Sequence, residues 1–244
     1  MKGKRVMVVA AHPDDADFYC GGTVALWAEQ GAEITYVICT DGALGAEEGG
    51  VSPEELINIR KKEQGAANGV LGVKETIYLE YRDMSLPRGE ELREKIAREY
   101  KRHRPEILLT FDPWLRYELH PDHTNAGIEA LYARLAAKMP LQYTHHSKEG
   151  LKSWSISEAY LFKTDRPNKW IEMEKMIDRK LAALACHQSQ FGAMVANQEV
   201  GKQILLDMSQ KHPDTGRVSE GFRFLPLEGL EGLKTYICLN PDTK

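Results

Sequence analysis

The chain has 244 residues, 42% of them hydrophobic and 28% charged, close to the averages for globular proteins. That balance excludes a disordered, collagen-like or disulfide-stapled chain, and no apolar run approaches the ~18–20 residues a membrane-spanning helix needs. With 32 Lys and Arg against 36 Asp and Glu, a net charge of −4 provides no basic field for nucleic acid or an anionic membrane.

Residues 1–7 carry Lys2, Lys4 and Arg5 but run straight into a strand pattern without a small-residue cleavage site. No secretory signal is read, and a cytoplasmic location is expected. Cys20, Cys39, Cys186 and Cys238 form no C-x-x-C pair and read as reduced, buried thiols.

In chain order, residues 5–11 (RVMVVAA) read as a buried parallel strand. A helix over about 17–30, stopped by Gly31, follows the tetrapeptide His12-Pro13-Asp14-Asp15. Residues 33–40 form a second strand, and 41–51 a loop too rich in glycine for regular structure. Ser52-Pro53-Glu54-Glu55 is a helix start, with Ser as cap and Pro at the first helical position. That helix is expected to stop at Gly69. A third strand over 76–80, an amphipathic helix over 90–102 and a fourth strand over 106–111 come next. The loop 112–119 leads to His120-Pro121-Asp122-His123 and a helix over about 124–138.

Strands spaced by helices imply right-handed crossovers and a doubly wound, Rossmann-like α/β fold. Its sheet is mostly parallel, with helices on both faces. The second half is less regular. A strand is expected over 156–162, and a helix over 170–186 from the spacing of Met173, Ile177, Leu181 and Leu184. A further helix near 196–208 and a last strand near 234–239 complete the chain. The simplest organisation is one domain over 1–244, with a metal-binding core over 1–138 and a C-terminal α/β elaboration over 139–244.

His12-Pro13-Asp14-Asp15 and His120-Pro121-Asp122-His123 are near copies, each placed after a strand at the edge where open α/β sheets put their ligands. In each, Pro at the second position keeps the preceding His out of the helix and fits the first turn of the next one. Together they bring three histidines and three carboxylates to one sheet edge. Two His and one carboxylate are a common ligand set for catalytic zinc. Taken alone, an Asp pair at a helix start is a cap and His-Pro a loop dipeptide. Capping, however, does not require His at both places.

Residues 11–23 (AHPDDADFYCGGT) together with 120–123 (HPDH) resemble the LmbE-like, or PIG-L, family of zinc-dependent de-N-acetylases. Weaker resemblances are the TDGALG loop at 40–45, Arg60-x-x-Glu63, the YRDMSL turn at 81–86 and the K-x6-H-x-S-Q pattern at 180–190. The resemblance implies His12, Asp15 and His123 as Zn2+ ligands, Asp14 as general base, and His120 as the group that stabilises or protonates at the tetrahedral centre. Asp122 is then a candidate to orient His120, its competing role being a helix-start cap. Arg60 could donate a fork of hydrogen bonds at the pocket rim, and Asp83 could contact substrate. Their bland alternatives are a solvated helix-face charge and a turn former. Gly21 and Gly22 are expected to permit close helix–sheet packing. His145, His146 and His187 carry no assigned role.

The resemblance further implies hydrolysis of the N-acetyl group of an N-acetylglucosamine-type sugar or conjugate and a small-molecule partner; homo-oligomers are frequent in that family, and the oligomeric state is left open. Asp17, Ala43 and residues 114–119 (WLRYEL) depart from the family pattern and leave the substrate open. Alternatives are a metal-dependent hydrolase of another amide or ester, a catalytically dead scaffold, and a non-catalytic ligand-binding module. The last is disfavoured, because the first strand–helix turn carries no G-x-G-x-x-G or Walker loop.

Overall fold

Runs rich in Val, Ile and Leu form five parallel strands: β1 (Arg5–Ala10), β2 (Glu33–Thr40), β3 (Glu75–Tyr81), β4 (Ile107–Phe111) and β5 (Glu158–Phe162). The structure is a computed structural model describing residues 1–46 and 50–229. The strands lie in the order β3-β2-β1-β4-β5. They are linked by helices α1 (Asp15–Glu29), α2 (Pro53–Leu71), α3 (Glu90–His103) and α4 (Pro121–Lys138). Right-handed crossovers place α1 and α2 on one face and α3 and α4 on the other, which is why β1 and β4 are buried almost throughout. Three further helices follow: α5 (Ile177–Leu184), α6 (Gln188–Val195) and α7 (Gln198–Met208). Of these, α5 packs against α1 and α2.

Chain order reverses between β1 and β4. β1 pairs with β2 on one side and with β4 on the other, Val9 opposite Thr110. This is the switch point at which open sheets leave a crevice beyond their strand ends. The sheet is then extended by antiparallel strands. β8 (Val218–Pro226) pairs with β5, while β6 (Lys169–Glu172) and the short β7 (Gln210–Lys211) pair with β8. Residues after 139 thus lengthen the same sheet.

Several boundaries differ from expectation for identifiable reasons. α2 passes through Gly69 and stops at Gly72, whose φ of 83° is the left-handed conformation that terminates helices. α4 starts at Pro121 because the His120 side chain accepts the Asp122 N–H as its cap. The helix expected over 170–186 is split: residues 169–172 pair with β8 as a strand, a 3-10 turn covers Glu174–Met176, and only Ile177–Leu184 is α-helix. β8 and α6 were not foreseen. The strand expected near 234–239 lies outside the described residues.

Helix α1 is broken at Cys20 (φ −138°), which frees backbone donors one turn on. Glu220 of β8 accepts the N–H of Gly22 at 3.0 Å and of Thr23 at 2.7 Å, and Lys180 neutralises it at 2.6 Å. Gly22 is required there, since a Cβ would meet Met173 Sδ at 2.4 Å. Gly21 meets only ordinary contacts. Cys20 and Cys39 are buried and Cys186 is half-buried, all with free thiols. Among the described residues no helix is long and apolar enough to cross a membrane.

Candidate active site

Because β1 and β4 are hydrogen-bonded neighbours, the segments leaving their C-terminal ends meet above the sheet. His12 sits in the turn after β1, and Asp15 opens α1. His120 caps α4, with Asp122 and His123 in its first turn. The three imidazoles cluster: ring centroids of His12 and His120 are 4.5 Å apart, those of His120 and His123 also 4.5 Å, and those of His12 and His123 5.3 Å.

His12 stands between two groups of carboxylates. Its Nδ1 lies 3.2 Å from Asp15 Oδ2, while Asp15 Oδ1 lies 3.4 Å from His123 Nε2. Its Nε2 faces Asp83 Oδ1 at 3.1 Å and Asp122 Oδ2 at 3.4 Å. Burial works against a charged His12, but Asp15, Asp122 and Asp83 outweigh it and push its pKa up to about 12. Burial likewise works against ionised Asp15, yet His12 and His123 hold its carboxyl well below the usual range.

Two overlapping donor sets can be drawn, His12–Asp15–His123 and His12–Asp83–His120–Asp122. Both sets take backbone N–H groups: Asp122 accepts those of Met84 and Leu86 and Asp83 Oδ2 that of Leu44, while Asp15 Oδ2 accepts that of His12 at 2.7 Å. The His120 ring is engaged as well, since its Nδ1 accepts the Asp122 backbone N–H at 3.3 Å. The first set fits a metal better. A tetrahedral ion with bonds of ~2.0–2.1 Å separates its ligand atoms by about 3.3 Å, and each histidine of this set has a nitrogen about that far from one Asp15 oxygen, His12 from Oδ2 at 3.2 Å and His123 from Oδ1 at 3.4 Å. The carboxylate surplus that draws a proton to His12 would equally be balanced by a divalent cation. Asp83 and Asp122 then stand behind the imidazole, as outer partners of ligating histidines do.

Asp14, next to this set, is not one of its donors and is held by other partners. Its backbone lies at φ 95°, a conformation that side-chain-bearing residues rarely adopt. Three anchors hold it there: its N–H donates to Gln64 Oε1 at 2.9 Å, and Arg60 Nη2 donates to the Pro13 carbonyl at 2.7 Å and to Asp14 Oδ2 at 3.0 Å. Arg60 Nη1 donates to the Gly42 carbonyl at 2.8 Å. Gly42 has φ 64°, and a Cβ on it would lie 2.7 Å from Arg60 Nη1, so this corner of the loop requires glycine. Burial raises the Asp14 pKa to about 7; Arg60 opposes the rise. Asp14 makes no helix-capping hydrogen bond.

Two expectations change in detail. Arg60 is neither a solvated helix charge nor a free fork at the rim: it is 3% exposed and its Nη atoms bind Pro13, Gly42 and Asp14. Asp122 neither caps α4 with its carboxylate nor has that carboxylate bonded to His120; the cap is His120, and it is the Asp122 backbone N–H that reaches His120 Nδ1. Burial, His12 and His123 push the His120 pKa down. Asp83 is buried beside His12, which overcomes burial and holds its pKa at about 2.

A cavity of about 260 Å³ opens over these groups, lined by His12, Asp14, Arg60, Asp83 and His120 and flanked by Leu44, Met84 and Gln190. Sequence reasoning missed Gln190, which donates to the Gly45 carbonyl at 3.0 Å, although it closes the K-x6-H-x-S-Q pattern. His187 of that pattern lies 2.8 Å from Asp17, a buried carboxylate that also accepts from Tyr36 and Gln64. Glu118 and Lys163, beside His123, were also missed; Glu118 lies in the 114–119 stretch noted only for departing from the family pattern. His145 and His146 lie elsewhere, clustered with Glu94 of α3.

The family model described as PIG-L: GlcNAc-PI de-N-acetylase matches residues 7–133. The chain is 33% identical to the diacetylchitobiose deacetylase of Thermococcus kodakarensis over 237 residues, covering 96% of this chain and 86% of that protein. It is 31% identical to the 1D-myo-inositol 2-acetamido-2-deoxy-alpha-D-glucopyranoside deacetylase of Streptomyces avermitilis, covering 67% and 63%. The solved N,N'-diacetylchitobiose deacetylase of Pyrococcus horikoshii, complexed with its inhibitor MPG, superposes with a TM-score of 0.89 at 32% identity, covering 98% of this chain and 88% of that one. With both strand-end motifs inside the matched region, the chain belongs to the PIG-L, or LmbE-like, family, and these matched relatives are hydrolases of N-acetyl amide bonds.

Proposed function

We propose that this protein hydrolyses the N-acetyl group of an N-acetylglucosamine-type sugar or its conjugate, releasing acetate and a free amine, with Zn2+ held by His12, Asp15 and His123. The observation that carries the reading is Asp14: a buried carboxylate with pKa near neutrality, fixed beside a His2Asp donor set and lining the cavity together with His12 of that set. Zinc, when bound, polarises the acetamide carbonyl as a Lewis acid and lowers the pKa of a water from ~15.7 toward ~7.

Asp14 takes the proton of the attacking water. Its Oδ2 is occupied by Arg60, leaving Oδ1 for the transfer. A carboxylate pushed to about 7 is ionised often enough to accept that proton and acidic enough to pass it to the departing amine. His120 acts on the developing oxyanion. Its Nδ1 accepts the Asp122 N–H, so in the neutral ring the hydrogen sits on Nε2, where it can donate to the tetrahedral oxygen. The depressed pKa favours that neutral form. Asp83, at the cavity wall, orients His12 and is the candidate acceptor for a sugar hydroxyl. Arg60 contributes to binding through the wall it builds around Asp14. Supporting the substrate class are the amino-sugar deacetylases among the relatives.

The test is amine release from N-acetylglucosamine, N,N'-diacetylchitobiose and an N-acetylglucosaminyl conjugate. Turnover of at least one, lost with a chelator, is expected. Turnover of unrelated amides or esters alone contradicts the reading.

A further inference from the structure

We propose that Glu118 is a positioning residue of the metal centre, its carboxylate pinned by Lys163 so that it fixes the His123 ring and the His120 backbone together. The inference rests on His123 being a metal ligand. Glu118 lies two residues before His120, and its side chain is 8% exposed. Its Oε1 accepts the His120 N–H at 3.0 Å. Its Oε2 lies 3.4 Å from His123 Nδ1 and 2.6 Å from Lys163 Nζ. One carboxylate therefore addresses both histidines of the second motif.

Lys163 arrives from the neighbouring strand. It follows β5 directly and takes φ 52°, the left-handed region that L side chains rarely enter, with Nζ 3.2 Å from His123 Nδ1. Such outliers cluster at functional sites. The opposite side of the histidine is settled too, because Phe111 stacks on the ring at 4.2 Å and 12°.

Proton placement decides which group serves which. A histidine that ligates through Nε2 carries its hydrogen on Nδ1. The Lys163 ammonium cannot accept that hydrogen, whereas the Glu118 carboxylate can. Glu118 is then the acceptor behind the ligand and Lys163 the clamp on Glu118. Such a partner fixes the tautomer and raises the basicity of the ligating nitrogen, and its loss typically weakens metal binding about 10–100-fold. A plain ion pair tying down the loop would affect thermal stability and leave metal affinity alone.

The experiment is a competition titration of Zn2+ against a chromophoric chelator, using the full chain and the variants Glu118→Ala, Glu118→Gln, Lys163→Met and His123→Ala, with the visible spectrum of the Co2+ form as a second readout. Glu118→Ala is expected to bind Zn2+ about 10–100-fold more weakly with an altered cobalt spectrum. Lys163→Met should lose less, and saturating Zn2+ should recover turnover with KM unchanged. If Glu118→Ala does not fold, Glu118→Gln carries the test, because it keeps an acceptor for the His120 N–H but removes the charge; it must show weakened binding. Wild-type affinity and spectrum in the folded Glu118 variants overturn the inference. If His123→Ala also binds like the wild type, the ligand assignment itself fails.

Discussion

Arg60 and Asp14 form a buried ion pair, Nη2 to Oδ2 at 3.0 Å, in which the same nitrogen also grips the Pro13 carbonyl. Arg60 thus holds both the carboxylate and the backbone turn that presents it. Arg60→Ala removes the cation that opposes the rise in the Asp14 pKa and leaves the Pro13 and Gly42 carbonyls without their donor, a change that costs about 3–5 kcal/mol. Denaturant unfolding should show that loss, and kcat of the folded fraction should fall about 100-fold as Asp14 shifts. Arg60→Lys should not rescue it, since a single ammonium cannot span Pro13, Asp14 and Gly42. Unchanged turnover in Arg60→Ala would refute the clamp.

Asp14 and His123 are separable by metal content. Asp14→Asn should retain bound metal while kcat drops roughly 10²–10⁴-fold. His123→Ala should lose metal as well as activity. Metal analysis beside kinetics distinguishes the two, and an active Asp14→Asn enzyme would remove Asp14 as the base.

Helix α1 provides a packing test. Gly22→Ala drives a methyl into Met173 and should destabilise by about 1–3 kcal/mol, whereas Gly21→Ala, with its nearest contact at 3.5 Å, should fall within about 0.5 kcal/mol of the wild type. Similar Tm values for the two variants would contradict the close packing at Gly22.

The buried Asp17 binds Tyr36 at 3.0 Å, Gln64 at 2.9 Å and His187 at 2.8 Å, and Gln64 in turn holds the Asp14 N–H. Asp17→Ala strands several buried polar groups and should cost about 3–5 kcal/mol. For a chain of this size that lowers Tm by roughly 10 °C. It should also reduce kcat more than KM, because the path from Asp17 ends on Asp14. A Tm within about 2 °C of the wild type, a shift worth under ~1 kcal/mol, would exclude this network.

What was legible in the sequence was local. β1 through β4 and the helices between them announce themselves by buried strand runs, a Ser-Pro-Glu-Glu start and charged amphipathic faces, and these suffice to bring the two His-Pro-Asp motifs to adjacent strand ends. Where two local signals competed, the reading failed. Met173, Ile177, Leu181 and Leu184 fit a helical stripe, but at the start of the helix expected over 170–186 antiparallel pairing of Trp170 with Gly221 wins. β8 alternates only weakly, its buried Ser219 and Glu220 hiding an interior strand. The contacts that tune the site could not be read because they join distant residues: Asp17 with His187, Glu118 with Lys163, Glu220 with the break in α1. Each is a buried polar group whose partner is set by the tertiary fold.

The central claim is that His12, Asp15 and His123 hold a metal used to remove acetyl from an amino sugar. The most direct measurement is metal content per chain together with acetate release from N,N'-diacetylchitobiose, before and after chelation and after zinc is restored. The account predicts about one divalent ion per chain, held by the His12–Asp15–His123 group, with acetate release that disappears on chelation and returns with zinc. A chain that binds no divalent metal after reconstitution, or that releases acetate equally well with the chelator present, would contradict it.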